Sequence, residues 1–387
     1  MRQKTRFVCV SDTHGYTPSE AGFKLPTGDV LIHAGDLTNN GSLKELRKTM
    51  DWICKADFEI KIIVGGNHDV TLDPAFYEEH GQSFHGQHLE DSQHCLNLVM
   101  GSPSVVLLRH EPALIRLTRA DGPKTVFKIF GSPYSQSQRN WAFGYESSDA
   151  AALWGQIPID TDIVVTHTPP RSHCDQKPNG MSAGCVALRS ALSLIRPHLA
   201  VCGHVHEGRG YERVLWRGKL TNTETETETQ PDPDSVDYVT RGMLPPMGSK
   251  KQSLVDLTGK RDKPLDNEGF SRPGKRQYDL AKTQPISSAS PGSESPAGVP
   301  KSPAGGPKKA SPQNSPSAHP SLGAGSPGSS SRDFDYALET LRKETCIVNA
   351  AIVSTSWPHQ GGKRFNSPIV VDLELPVWQD NHAVANG

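Results

Sequence analysis

The 387-residue chain is 35% hydrophobic and 6% aromatic, with 35 glycines and 31 prolines, so a large part of it lacks the apolar surface needed to fold. A net charge of -1 gives no whole-molecule field toward nucleic acid or an acidic membrane, and nucleic-acid binding is unsupported. Seven scattered cysteines without a CxxC pair argue against a disulfide framework, and no apolar run approaches the ~20 residues that cross a bilayer.

In chain order, Met1-Arg2-Gln3-Lys4 leads straight into the first apolar run, leaving no room for a signal peptide's core; the expected location is intracellular, cytoplasmic or nuclear. Phe7-Val8-Cys9-Val10 reads as a strand and is followed by Ser11-Asp12-Thr13-His14-Gly15. Residues at i and i+2 of an extended segment point to one side, so Asp12 and His14 can reach one metal ion. Further short runs are Val30–Ala34, Ile60–Val64, Val105–Leu108, Val126–Phe130, Ile163–Thr166 and Leu199–Cys202, each bounded by turn residues as buried strands are. Between them, Ser42 and Glu45 cap a helix over Leu43–Cys54, a second starts at Ser147 or Ser148 and runs through Trp154, and a third spans Cys185–Ile195 before Pro197. This alternation indicates an α/β layered domain over residues 5–220.

The character then changes. Residues 221–332 pass from a Thr/Glu run into Ser, Pro, Gly, Ala and Lys, too little apolar surface to offset an ordering entropy of ~1 to 2 kcal/mol per residue. They are read as a disordered insertion. Its Ser-Pro pairs at Ser290, Ser295, Ser302, Ser311, Ser315 and Ser326 suit proline-directed kinases or other partners. Residues 333–376 supply a helix over Asp333–Lys343 and strands over Cys346–Val353 and Ile369–Leu373, too few for a core of their own, so they are expected to complete the first domain; 377–387 reads as a flexible tail.

Ligand-type residues follow the strands: Gly35-Asp36, Gly65-Gly66-Asn67-His68-Asp69, His167, and Gly203-His204-Val205-His206. In an α/β sheet the carboxyl ends of strands gather on one side, where these residues would meet. Oxygen and nitrogen donors without thiolate suit Mn, Fe, Zn or Mg. The other histidines His33, His80, His85, His88, His94 and His110 fit no such pattern.

The order Asp-x-His, Gly-Asp, Gly-Asn-His, His, Gly-His-x-His resembles the calcineurin-like metallophosphoesterase signature over Arg6–Gly210. Gly131-Ser132-Pro133-Tyr134, Trp141-Ala142-Phe143, Thr166-His167-Thr168-Pro169-Pro170, Gly184-Cys185, His206-Glu207-Gly208-Arg209-Gly210 and Asn349-Ala350 resemble the small metallophosphoesterase-domain, class III phosphodiesterase-like proteins, some of which hydrolyse cyclic nucleotides. The resemblance implies a four-layer αββα sandwich, here interrupted by the insertion, and two divalent metal ions. By carry-over Asp12, His14 and His206 would hold the first ion, Asn67, His167 and His204 the second, and Asp36 would bridge. A metal-bridging hydroxide would attack phosphorus while His68 protonates the leaving alkoxide. Larger relatives support that histidine with a carboxylate where this chain has Asn39, which cannot stabilise an imidazolium by charge.

Softer candidates are His173 and Asp175, which would line the site or support a ligand from behind, and Arg209, for a phosphate or for its own turn. Tyr134, Trp141 and Phe143 would stack a nucleobase or pack a loop. The expected function is hydrolysis of a small phosphoester, a phosphodiester such as a cyclic nucleotide. The alternatives are a phosphomonoesterase or protein phosphatase, or a non-catalytic scaffold acting through the insertion.

Overall fold

The computed structural model describes residues 1–136, 141–216, 237–267, 342–356, 358–359 and 362–378. In chain order these carry β1 (Arg2–Val10), β2 (Val30–Ala34), α1 (Leu43–Lys55), β3 (Ile60–Val64), α2 (Pro74–His85), α3 (Ser92–Met100), β4 (Val105–Leu107) and β5 (Glu111–Arg116). Then come β6 (Val126–Ser132), the short pair β7 (Ser135–Gln136) and β8 (Gly144–Tyr145), α4 (Ala150–Trp154), β9 (Ile163–Thr166), α5 (Val186–Ile195), β10 (Leu199–Cys202) and β11 (Gly210–Leu215). The last strands are β12 (Tyr238–Arg241), β13 (Ser253–Asp256), β14 (Glu344–Asn349) and β15 (Ile369–Pro376).

Two sheets result, one ordered β13-β15-β1-β2-β3-β4 and the other β12-β11-β14-β10-β9-β6-β5. Side chains alternate across a strand, so β1 sends Phe7 and Cys9 into the core between the sheets, together with Ile32, Ile129, Val165 and Val201, and sends Val8 and Val10 outward. The outward face is covered by Leu46, Met50 and Ile53 of α1 and Leu96 and Val99 of α3; on the far side Trp154 of α4 and Leu188, Leu192 and Ile195 of α5 cover the second sheet. Helices, sheet, sheet and helices make the four-layer αββα sandwich. At the start of α1 the Ser42 side chain accepts from Glu45 N, satisfying one of the helix's unpaired donors. No helix among the described residues is long and apolar enough to cross a membrane.

Strands β1, β2 and β3 run parallel, with Val10 beside His33 and His33 beside Ile63, so the loops that follow them leave from one edge. In the second sheet β6, β9, β10 and β14 are also parallel neighbours. The two edges are tied together where Ile352 N donates to Ser11 O at 2.8 Å and Val353 N to Asp12 O at 3.2 Å. The donor residues are placed on this edge.

Four expectations need correction. Residues 237–267, placed within the disordered insertion, carry β12 and β13. Four-residue strands are invisible in average composition; β13 is held by pairing with β15 and by burying Val255, beside Leu257 and Leu265. The tail does not begin at Val377, because Trp378 N donates to Lys124 O at 3.0 Å and its Nε1 to Leu117 O at 2.7 Å. Arg342 and Lys343 are not helical, and the strand expected over Cys346–Val353 ends at Asn349. The rest of the expected helix with Phe334, Leu338 and Leu341, residues 379–387, and all six Ser-Pro pairs lie outside the described residues. The ends of two chain excursions meet: Leu215 pairs with Tyr238, and the Asn267 carboxamide oxygen accepts from Lys343 N and Glu344 N, both at 2.9 Å.

Candidate metal centre

The loops after the strands are tightly wound. Asp12, His14, Asp36 and His204 have φ of 52°, 46°, 54° and 66°, the left-handed region that costs a non-glycine residue roughly 1–2 kcal/mol. Asp12 and His14 are therefore not on an extended segment as expected; a tight loop rather than the strand pleat brings their side chains together. Hydrogen bonds from Asp12 N to Gly35 O (2.9 Å) and from His14 N to Asp36 O (3.0 Å) lock the β1 loop onto the β2 loop. The buried Asp69 carboxylate joins the β2 loop to the β3 loop by accepting from Leu37 N, Thr38 N, Thr38 Oγ1 and Gly66 N. Burial and the nearby Asp36 push Asp69 up to about 7 against those hydrogen bonds. Its place in the Gly65–Asp69 run is the sequence signal that could have given it this role.

The donor atoms fall into two groups about Asp36. On one side His14 Nε2 lies 3.3 Å from His206 Nε2 and 3.7 Å from Asp36 Oδ2, and His206 Nε2 lies 3.3 Å from Asp12 Oδ1. On the other, Asn67 Oδ1, His167 Nε2 and His204 Nδ1 are 2.9 to 3.2 Å from one another, and His167 Nε2 is 3.4 Å from Asp36 Oδ1. The two oxygens of one carboxylate thus face different groups. All seven side chains expected from the sequence are brought together.

Main-chain carbonyls fix the ring tautomers. His167 Nδ1 donates to Ala34 O at 2.9 Å and His206 Nδ1 to Thr355 O at 3.0 Å, which leaves each Nε2 facing the donor group. Burial pushes His14 and His204 down to about 3, so both are neutral. Burial also opposes charge on His167 and His206, but Asp36 and Asp12 respectively overcome it and push them up to about 9. Burial resists ionisation of Asp12 and Asp36 as well, yet His206 holds Asp12 down to about 2 and His167 holds Asp36 well below the usual range. The field of the site calls for positive charge, and facing imidazole nitrogens 3.3 Å apart need a cation or a proton between them. The residues fit divalent ions bound by oxygen and nitrogen.

His68 stands at the rim. Its backbone N donates to Asp36 Oδ1 at 2.9 Å, its Nδ1 donates to the Asn39 carbonyl oxygen at 2.6 Å, and Trp141 packs against its ring. The Asn39 side chain does not support His68 at all; its Nδ2 donates to His14 O and Glu45 Oε1. The cleft outside these residues has a volume of about 1060 Å³, and Lys177 and Lys363, which sequence reasoning missed, line it.

Of the softer candidates Trp141 lines the cleft, and the others lie elsewhere. Tyr134 packs beside His110 and Phe143, Arg209 Nη2 donates to Ser367 O at 2.6 Å, and His173 Nδ1 meets buried Glu212 at 3.0 Å. None of the three lines the cleft. Burial lowers Arg209 to about 10, consistent with an internal brace. Asp175 accepts from Ser172 N and Gly184 N and so shapes its own loop.

The family model for calcineurin-like phosphoesterases matches residues 5–208. The chain belongs to this family. Members of this calcineurin-like phosphoesterase family typically bind divalent metals, and the groups Asp12, His14, His206 and Asp12, Asp36, His167 each bring their donor atoms within 4.8 Å. Over 218 residues the chain is 36% identical to metallophosphoesterase domain-containing protein 1 of Homo sapiens, covering 53% of this chain and 62% of that protein. It is 39% identical over 223 residues to a protein of Emericella nidulans named probable rhamnogalacturonate lyase C, covering 56% of this chain and 19% of that protein. It is 32% identical over 209 residues to UPF0046 protein T07D4.2 of Caenorhabditis elegans, covering 53% of this chain and 52% of that protein. The chain thus spans less than two thirds of each of these relatives.

Proposed function

We propose that this calcineurin-like phosphoesterase hydrolyses a small phosphodiester, a cyclic nucleotide being the leading case, at two divalent ions. The observation that carries the reading is Asp36, whose two oxygens face separate groups of nitrogen and oxygen donors. Asp12, His14 and His206 would hold one ion, Asn67, His167 and His204 the other, with Asp36 shared; Mn, Fe, Zn and Mg all suit such donors. When bound, such ions supply Lewis acidity toward phosphoryl oxygens and acidify water. The chain's own residues orient the ester and manage the proton. His68, fixed at Nδ1 by the Asn39 carbonyl, would donate from Nε2 to the leaving oxygen. Lys177 and Lys363 at the cleft complement an anionic ester, and a cleft of about 1060 Å³ takes a nucleotide-sized substrate with both substituents.

The test is metal content per chain together with Mn²⁺-dependent turnover of bis(p-nitrophenyl) phosphate and p-nitrophenyl phosphate. Near two metals and a preference for the diester are expected, and Asp36→Asn should lower kcat by about 100-fold or more. Undiminished turnover in that variant would sink the mechanism. Little metal and no turnover after reconstitution would leave the chain as a scaffold on this fold.

A further inference from the structure

We infer that Trp141 is the positioning residue for His68: its indole forms the wall that sets the plane of the imidazole. The inference rests on the reading of His68 as the group that protonates the leaving oxygen. One hydrogen bond, from Nδ1 to the Asn39 carbonyl at 2.6 Å, fixes one edge of the ring but leaves it free to rock about that contact. Two ring contacts remove that freedom. The Trp141 ring centroid lies 4.0 Å from that of His68 at an interplanar angle of 41°, and His14 meets the ring at 4.8 Å and 88°. Rocking would move Nε2 relative to the leaving oxygen, and proton transfer needs a heavy-atom separation of roughly 2.6–3.2 Å.

The wall is itself braced. Phe84 of α2 meets Trp141 edge-on at 5.3 Å, and two residues along the chain Phe143 N donates to Asp73 Oδ2 at 2.9 Å. The same Asp73 caps α2 by accepting from Phe76 N at 3.2 Å, and Phe143 O accepts from Ser135 N at 3.0 Å. The Trp141 loop therefore moves with α2. In the step concerned, a water oxygen bonds to phosphorus and that water's proton passes to solvent, from which His68 is reprotonated after the step. The P–O bond to the leaving group breaks with its electron pair on oxygen, and that oxygen takes the proton from His68 Nε2.

Turnover of aryl methyl phosphates with leaving phenols of rising pKa tests this in the Mn²⁺-loaded full chain, because p-nitrophenolate leaves with little help and unsubstituted phenolate needs the acid. Trp141→Ala should cost little kcat with p-nitrophenolate and about tenfold or more with phenolate, KM staying within about twofold. Trp141→Phe should restore most of the loss, and Trp141→Ala should add nothing to His68→Ala. By NMR of the Zn²⁺-loaded full chain, the ring-current displacement of the His68 carbon-bound protons should vanish in Trp141→Ala and persist in Trp141→Phe. An equal fall across the series, a KM effect alone, or unmoved His68 resonances overturns the inference and leaves the acid role standing. A His68→Ala variant with no added sensitivity to the leaving group overturns the acid role, and this inference with it.

Discussion

Gly66 occupies a position where a Cβ would come 2.3 Å from both the backbone N and Oδ1 of Asp36, the carboxylate shared by the two donor groups. Gly66→Ala should therefore displace Asp36 first, and metal content is expected to fall below one ion per chain while the far-UV circular dichroism stays that of the parent. At this scale the side-chain donors were legible in the sequence because metal chemistry restricts them to a few residue types at strand ends. The carbonyls of Ala34, Thr355 and Asn39, which orient His167, His206 and His68, were not. A main-chain oxygen has no residue signature. Tyr134 and Arg209 have the right chemistry but point into packing, a difference that only tertiary structure makes.

Among the elements, β2, β9 and β10 are buried along their whole length and stand out as unbroken apolar runs. Helix α2 buries only Tyr77 and Gly81, so its periodicity is too thin to read, and β5 alternates poorly because most of it is exposed. Strand β11 hides Glu212 in the second sheet, paired with His173 and Arg241, a burial that no apolar pattern announces. The cap of α2 has two attachments, so Asp73→Ala loses the helix cap and the anchor of the Trp141 loop together. A loss of roughly 1 to 2 kcal/mol in urea unfolding is expected, whereas Asp91→Ala, a cap that holds only its own helix α3, should cost toward the lower end of that range.

In the whole molecule, the last described strands are interior: β14 lies between β11 and β10, and β15 between β13 and β1. A chain ending at residue 341 should therefore show no cooperative thermal transition by circular dichroism. The sandwich also buries His198, pushed well below its ordinary value by burial first and then by Arg342 and Arg2, with Asn267 Nδ2 donating to its Nδ1. Below pH about 6.5 the unfolded chain binds a proton there that the folded chain refuses, so stability falls with falling pH. Between pH 7 and pH 5 the His198→Gln variant should lose less stability than its parent, by up to about 2 kcal/mol, measured by urea unfolding at each pH.

The Asn267 clasp on Lys343 and Glu344 makes the sandwich nearly indifferent to the length of what it encloses. With the two ends already joined, each doubling of the enclosed chain costs only about 0.6 kcal/mol of closure entropy. A fluorescent protein spliced between residues 268 and 341 should therefore leave the melting temperature of the sandwich within a few degrees. Changes of composition or length confined to that stretch are likewise expected to leave the domain's melting temperature within the same few degrees.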